Sequence, residues 1–391
     1  MEKRAASGVT GRRVHRVARR VAHGLGLAAG VLALMFLALP TAAQQPAPAN
    51  PNVRPPANAV QNVAPTPANP DAVDSGNREM WHRVREGLQG KVSIPDKKLG
   101  QLVQSEGEEW RNLRNGPLAR YGTWAMAGML VLLAVFYLIK GSIRVEHGFS
   151  GRTITRFNTL DRMGHWLTAV SFIILGLTGL NVLYGRYVVL PLVGKEAFGT
   201  ITQWGKWLHN YVAFAFMAGI VLIFLLWIRH NLPTRADATW LARGGGIIGH
   251  AHPPAHKFNA GQKILFWLII LGGVSISLSG LSLMLPYQFP LFAKTFSALN
   301  VFGLGLPTEL TPVQEMQYAS TWHAIMGLFL VCVIFAHIYI GTLGMQGAFS
   351  AMGSGEVDVN WAKEHHSLWA AEELRAGKEH PGPSARPAPA E

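Results

Sequence analysis

Thr321-Trp-His-Ala-Ile-Met-Gly-Leu-Phe-Leu-Val-Cys-Val-Ile-Phe-Ala-His-Ile-Tyr-Ile-Gly341 is the stretch around which the chain is organised. It is long and apolar enough to cross a bilayer as a helix. Its two histidines, His323 and His337, stand 337 − 323 = 14 residues apart. That is close to four helical turns, so both imidazoles leave from nearly the same face. A rise of about 1.5 Å per residue puts them about 21 Å apart along the axis. Polar side chains inside a membrane need partners. Here the partners are either other bundle side chains, through simple hydrogen bonds, or two metal centres stacked at two depths.

Working outward, the apolar residues of this 391-residue chain gather into long runs rather than spreading over two or three globular domains. The formal charge of +13 raises nucleic acid as a partner. Its Lys and Arg are instead dispersed beside apolar runs, as membrane topology requires, so no nucleic-acid role is expected. The twelve Trp and eight Tyr suit interfacial anchoring. Cys332, the single cysteine, sits in the last apolar run and reads as a small core residue. It forms neither an intrachain disulfide nor a cysteine-ligated cluster. Iron–sulfur or molybdenum chemistry would therefore reside on another chain.

Five spans are expected, at about 124–139, 166–184, 208–228, 264–285 and 322–343, none with an internal charge. The first and third connections carry five basic residues each, the second three and the fourth only Lys294. The first and third are thus expected to be cytoplasmic. Upstream, basic residues precede an apolar run over 24–39 and the small residues of Pro40-Thr-Ala-Ala43. Residues 1–43 read as a secretory signal cleaved after about Ala43, with an uncleaved anchor as the alternative. Either way the next segment is exported, in agreement with the loop charges. Residues 44–75, rich in Pro, Ala, Asn and Gln, lack the apolar content for a core. The mixed composition from 77 to 120 suggests one or two short helices. The expected domains are then 44–120 outside, an extra span over 121–145, a bundle over 150–345 and a cytoplasmic tail over 346–391.

This topology sorts four histidines by depth. His165 opens the second span at its cytoplasmic end, in Asp161-Arg-Met-Gly-His-Trp166, and His209 opens the third at its periplasmic end. The expected pairs are His209 with His323 and His165 with His337. A haem iron between two neutral imidazoles satisfies both members of each pair. Filled axial positions leave no site for oxygen, so the expected role is electron transfer. His230, at a membrane boundary, is expected to snorkel. His250, His252 and His256 fall in a loop rich in Gly and Pro, read as flexible, with a metal site as the rival. His365 and His366 are expected to be solvated in the tail, and His147 and His380 have no evident context.

A second constellation is Lys257-Phe-Asn-Ala-Gly-Gln-Lys263, just before the fourth span. Asn259 and Gln262 offer amide donors and acceptors, and Gly261 permits close approach to the backbone. The segment is either a pocket edge for a quinone carbonyl or simply a helix cap with basic anchors.

Taken together, Asp-Arg-x-x-His-Trp, Leu-His at the third span, Lys-Phe-Asn-Ala-Gly-Gln-Lys, the His-x13-His span and Trp361-Ala-Lys-Glu-His-His-Ser-Leu-Trp369 closely resemble the cytochrome b gamma subunit of membrane-bound formate dehydrogenase. The resemblance covers about residues 150–370. It implies an all-α membrane protein whose transmembrane four-helix bundle holds two b haems. To this the chain adds one extra N-terminal transmembrane helix and an exported segment. It further implies His165, His209, His323 and His337 as haem ligands, and Asn259, Gly261 and Gln262 at a quinone (menaquinone or ubiquinone) pocket. The implied partners are a molybdenum- or tungsten-containing alpha subunit that oxidises formate and an iron–sulfur beta subunit. The implied location is the bacterial inner membrane, in contact with its lipid. A di-haem subunit of a hydrogenase or thiosulfate reductase is the near rival. A haem-free membrane anchor or metal transporter is the distant one, disfavoured by the lack of carboxylates within the spans.

Overall fold

Apolarity along the chain becomes five long helices in the computed structural model, which describes residues 110–246, 252–285 and 288–382. The signal region, the Pro/Ala-rich stretch, the short helices expected before residue 110, His250 and the last nine residues lie outside this range. The long helices are α1 (Ala119–Lys140), α2 (Thr159–Val188), α3 (Leu190–Trp227), α5 (Ala260–Met284) and α7 (Pro312–Tyr339). Each is long and apolar enough to cross a membrane. Two short helices connect them, α4 (Arg235–Ala242) and α6 (Leu291–Leu299). Leu132, Ile139, Leu177 and Leu225 are exposed on the long helices, as lipid-facing residues should be.

Several helices outrun the apolar stretches that announced them. α7 begins ten residues before Trp322, because Thr311 and Gln314 form a capping box and Pro312 starts the first turn. Glu315 in that turn is buried, and its carboxylate accepts the backbone N–H groups of Phe292 and Ala293 at the start of α6. Hydropathy marks where lipid begins, whereas capping marks where the helix begins. α3 starts before its apolar part and bends at Gly194, whose φ of 79° only glycine adopts readily.

Small residues let the helices close on one another. A Cβ on Gly219 of α3 would collide with Thr168 Oγ1 of α2. One on Gly122 of α1 would meet Leu328 of α7 and the Tyr184 hydroxyl, each at 2.6 Å. That hydroxyl donates to the Ala119 carbonyl at 3.0 Å, tying α1 to the C-terminal end of α2.

One end of the bundle carries a folded cap where a solvated tail was expected. Strand β1 (Arg152–Thr155) precedes α2. After α7 come α8 (Ser350–Gly353), β2 (Glu356–Asp358), α9 (Val359–His365), α10 (Ser367–Arg375) and β3 (Glu379–Pro381). The sheet is antiparallel in the order β2-β1-β3, with Ile154 opposite both Val357 and Glu379. Ile154 and Val357 join Phe157, Trp361 and Trp369 in a core that continues into Phe216, Ile220 and Phe266 of the bundle. His366 is 1% exposed and its ring faces the His256 carbonyl at 2.8 Å. Burial depresses its pKa well below the usual histidine value. The expected solvation of His365 and His366 is thus corrected: the Trp361–Trp369 motif packs inward because its tryptophans cover Arg156.

Arg156 is itself 3% exposed, between the rings of Trp361 and Trp369, 5.0 and 5.8 Å from its guanidinium carbon. Burial pulls its pKa down to about 9, which leaves it charged at neutral pH. It donates to the Lys257 carbonyl at 2.8 Å, so the first loop, the third loop and the C-terminal segment meet on one face. His147, His252 and His380 also acquire partners there, in Glu364, Glu146 and Glu356 respectively.

Candidate haem-binding tiers

The four histidines singled out by depth come together in two pairs. The ring centres of His165 (α2) and His337 (α7) are 6.0 Å apart at the cap end. Those of His209 (α3) and His323 (α7) are 6.1 Å apart toward the far end. Imidazole nitrogens about 2 Å either side of a metal, each with its ring centre about 1 Å behind, put the centres about 6 Å apart. Interplanar angles of 63° and 61° suit rings turned about a shared axis rather than stacked on each other. The donor set therefore fits an iron held axially by two imidazoles. Among the described residues, no group of three or more His, Cys, Asp or Glu is placed to hold another metal.

At the far tier the rings are fixed by hydroxyls. Thr178 Oγ1 on α2 lies 2.8 Å from His209 Nδ1, and Ser279 Oγ on α5 lies 3.0 Å from His323 Nδ1. With Nδ1 so engaged, Nε2 of each ring is the nitrogen left for a metal. Neither hydroxyl was singled out in the sequence, since Ser and Thr in a membrane helix ordinarily bond their own backbone. The usable signal was a repeat: Leu177-Thr-Gly-Leu180 and Leu278-Ser-Gly-Leu281.

The cap-end tier is fixed differently. Asn158 and Asp161 form a capping box at the start of α2, and Asp161 Oδ1 accepts from Trp227 Nε1 at 2.7 Å. Arg162 donates to the carbonyls of Met352, Gly353 and Ser354 at the end of α8. Trp166 Nε1 adds a bond to the Met352 carbonyl at 3.0 Å. The Asp-Arg-x-x-His-Trp motif therefore nails down the helix that carries His165. The imidazole itself has no such support, because His165 Nδ1 is buried with no partner among the described residues.

The segment before α5 serves as a cap. Asn259 Oδ1 accepts from the Gln262 backbone, while Gln262 Oε1 accepts from the Asn259 backbone and from Arg156. Lys263 is buried against Asp237 at 2.8 Å. Both amide oxygens are committed, so any ligand carbonyl would meet the amide NH2 groups. Gly261 approaches Trp240, whose ring would lie 3.0 Å from an added Cβ.

Against known proteins, residues 156–355 match the family described as prokaryotic cytochrome b561. The matched region spans all four histidines and both motifs. The chain belongs to the prokaryotic cytochrome b561 family. Membership implies b-type haem in a multi-pass membrane protein. This cytochrome is 30% identical over 218 residues to the "Formate dehydrogenase, cytochrome b556(fdo) subunit" of Escherichia coli K12, covering 56% of this chain and 92% of that one. It is 29% identical over 221 residues to the "Formate dehydrogenase, nitrate-inducible, cytochrome b556(Fdn) subunit" of the same strain, covering 56% and 90%. A weaker match, 26% identical over 230 residues, is to the "Probable Ni/Fe-hydrogenase B-type cytochrome subunit" of Azotobacter vinelandii, covering 50% and 84%. α1 precedes the matched family region.

Proposed function

We propose that this chain is the cytochrome b subunit of a membrane-bound formate dehydrogenase, carrying electrons from an iron–sulfur partner to quinone. The observation that carries the reading is the pair of imidazole clamps, each at the spacing an iron requires, on the two ends of one helix. Haem bound in such clamps supplies reversible one-electron transfer. The protein's own contribution is geometric. α7 fixes the separation of the tiers, α2 and α3 bring up the opposing rings, and an imidazole on each side of a bound haem would leave oxygen no site.

The face bearing the cap and most of the loop Lys and Arg is assigned to the cytoplasm, and the far face to the periplasm. The iron–sulfur partner, with a molybdenum- or tungsten-containing subunit beyond it, docks on the far face. Quinone is reduced at the cap end, beside the start of α5. There the amide nitrogens of Asn259 and Gln262 are the donors suited to its carbonyl, and Gly261 with the Trp240 ring against it forms the adjacent edge. Each quinone takes up two electrons and two protons, the protons from the cytoplasm. Inward electron movement is then electrogenic.

Haem quantitation and a reduced-minus-oxidised spectrum of the purified chain test the proposal. Two b haems per polypeptide are expected; a colourless protein would end it. The hydrogenase reading is favoured by the weaker match to the Azotobacter relative. Co-purification decides between them, since a formate-oxidising subunit supports the first and a nickel–iron subunit the second.

A further inference from the structure

The hydroxyls at the far tier do more than fill space. Thr178 sends its proton to the Ile174 carbonyl at 2.8 Å, with the Leu175 carbonyl at 3.1 Å. Ser279 likewise donates to the Ile276 carbonyl at 2.9 Å. A hydroxyl has one proton to give. An imidazole that binds metal through Nε2 carries its proton on Nδ1, so Nδ1–H of His209 and of His323 donates to that hydroxyl oxygen, with the Leu175 and Ile276 carbonyls as second acceptors. The two helices facing these rings, α2 and α5, present the same device. In each, a glycine follows the hydroxyl residue and lies against the ring edge. An added Cβ would be 3.5 Å from His209 Cε1 at Gly179 and 3.3 Å from His323 Cε1 at Gly280.

An acceptor on Nδ1–H raises the basicity of the opposite nitrogen. A more basic axial ligand favours the ferric over the ferrous state, which lowers the reduction potential. His165 at the cap end has no such acceptor among the described residues. We propose that Thr178 and Ser279 are positioning residues that hold the far-side haem at a lower potential than the cap-end haem. Electrons arriving on the far side then run downhill to the cap end. The inference rests on the two-haem reading proposed above.

Spectroelectrochemical titration of the purified complex tests it through two one-electron steps. Thr178→Val and Ser279→Ala each raise the lower step by about a tenfold change in its equilibrium, which is about 59 mV for one electron. The double variant raises it further, the upper step stays put, and Thr178→Ser restores the parent value. Ser279→Cys, with similar shape and a weak acceptor, covers the case in which Ser279→Ala sheds its haem. An intermediate rise supports the proposal, and no rise overturns it. An unmoved lower step in a double variant that keeps both haems also overturns it, as does movement of the upper step instead. Fewer than two haems in the parent protein would sink the two-haem reading itself, a different failure.

Discussion

The two tiers reach the same ring spacing by different means. At the far tier each imidazole is gripped directly, by Thr178 or Ser279, and the helices around it are otherwise free to be lipid-like. At the cap end the grip is one level removed: Asp161, Arg162 and Trp166 fix the helix, and His165 follows. The first arrangement is the one proposed to tune the ligand electronically. The second leaves a ring edge uncommitted beside a polar, folded cap, where exchange of protons and quinone is expected.

The largest test of this contrast is removal of a ligand. His337→Ala is expected to abolish the cap-end haem and about half of the haem absorbance. Formate-to-quinone activity should vanish, while formate oxidation by an artificial dye persists in the assembled complex. Loss of both haems, or of the dye activity, would contradict the division between tiers.

Next in size is the anchor of α2. Arg162→Ala deletes charge-assisted bonds to three carbonyls, each worth about 1.5–3 kcal/mol when well made and less where solvent reaches them. Thermal unfolding should move down, and only the cap-end haem should broaden or fall in occupancy. Equal change at both haems would show that the anchor is not local.

A smaller effect distinguishes the two glycines. Gly280→Ala forces a 3.3 Å contact on His323, whereas Gly179→Ala makes an ordinary 3.5 Å contact with His209. The first substitution should shift the far-side haem spectrum and the second should leave it nearly unchanged. An equal response from both would mean that the rings move freely.

The mildest test is pH. Burial pulls His365 down to about 4 and His366 well below the usual 6.5. Both rings are therefore neutral in the fold and more readily protonated when exposed. Their contribution is complete above about pH 6.5 and is lost as pH falls from there toward 4. Amide exchange at Leu368 and Trp369, corrected for its intrinsic pH dependence, should accelerate across that window while the far tier stays protected. A flat profile would remove the histidines from the stability of the cap.

Much of this was legible from residues alone. The four histidines and their pairing followed from depth, because a membrane reduces the arrangement of helices to order and direction. The cap was not legible. Its strands are three or four residues long, and Thr153 pairs with Asp358, 358 − 153 = 205 positions away. So short a strand carries too few residues to display an alternating pattern. The capping role of Asn259 and Gln262 was visible as one of two readings, and the structure shows the bonds that reading requires. Thr178 and Ser279 escaped notice because residues of this type usually satisfy themselves locally.

One helix supplies a histidine to both tiers, and it is the last of the five long helices to be made. Until α7 leaves the ribosome and enters the bilayer, His165 and His209 have nothing opposite them. Strands β2 and β3 emerge later still. On the proposed ligand set, haem capture waits for this helix, and a nascent chain arrested before residue 312 is expected to hold no pigment at either level. Emergence of α7 would then be the checkpoint for maturation.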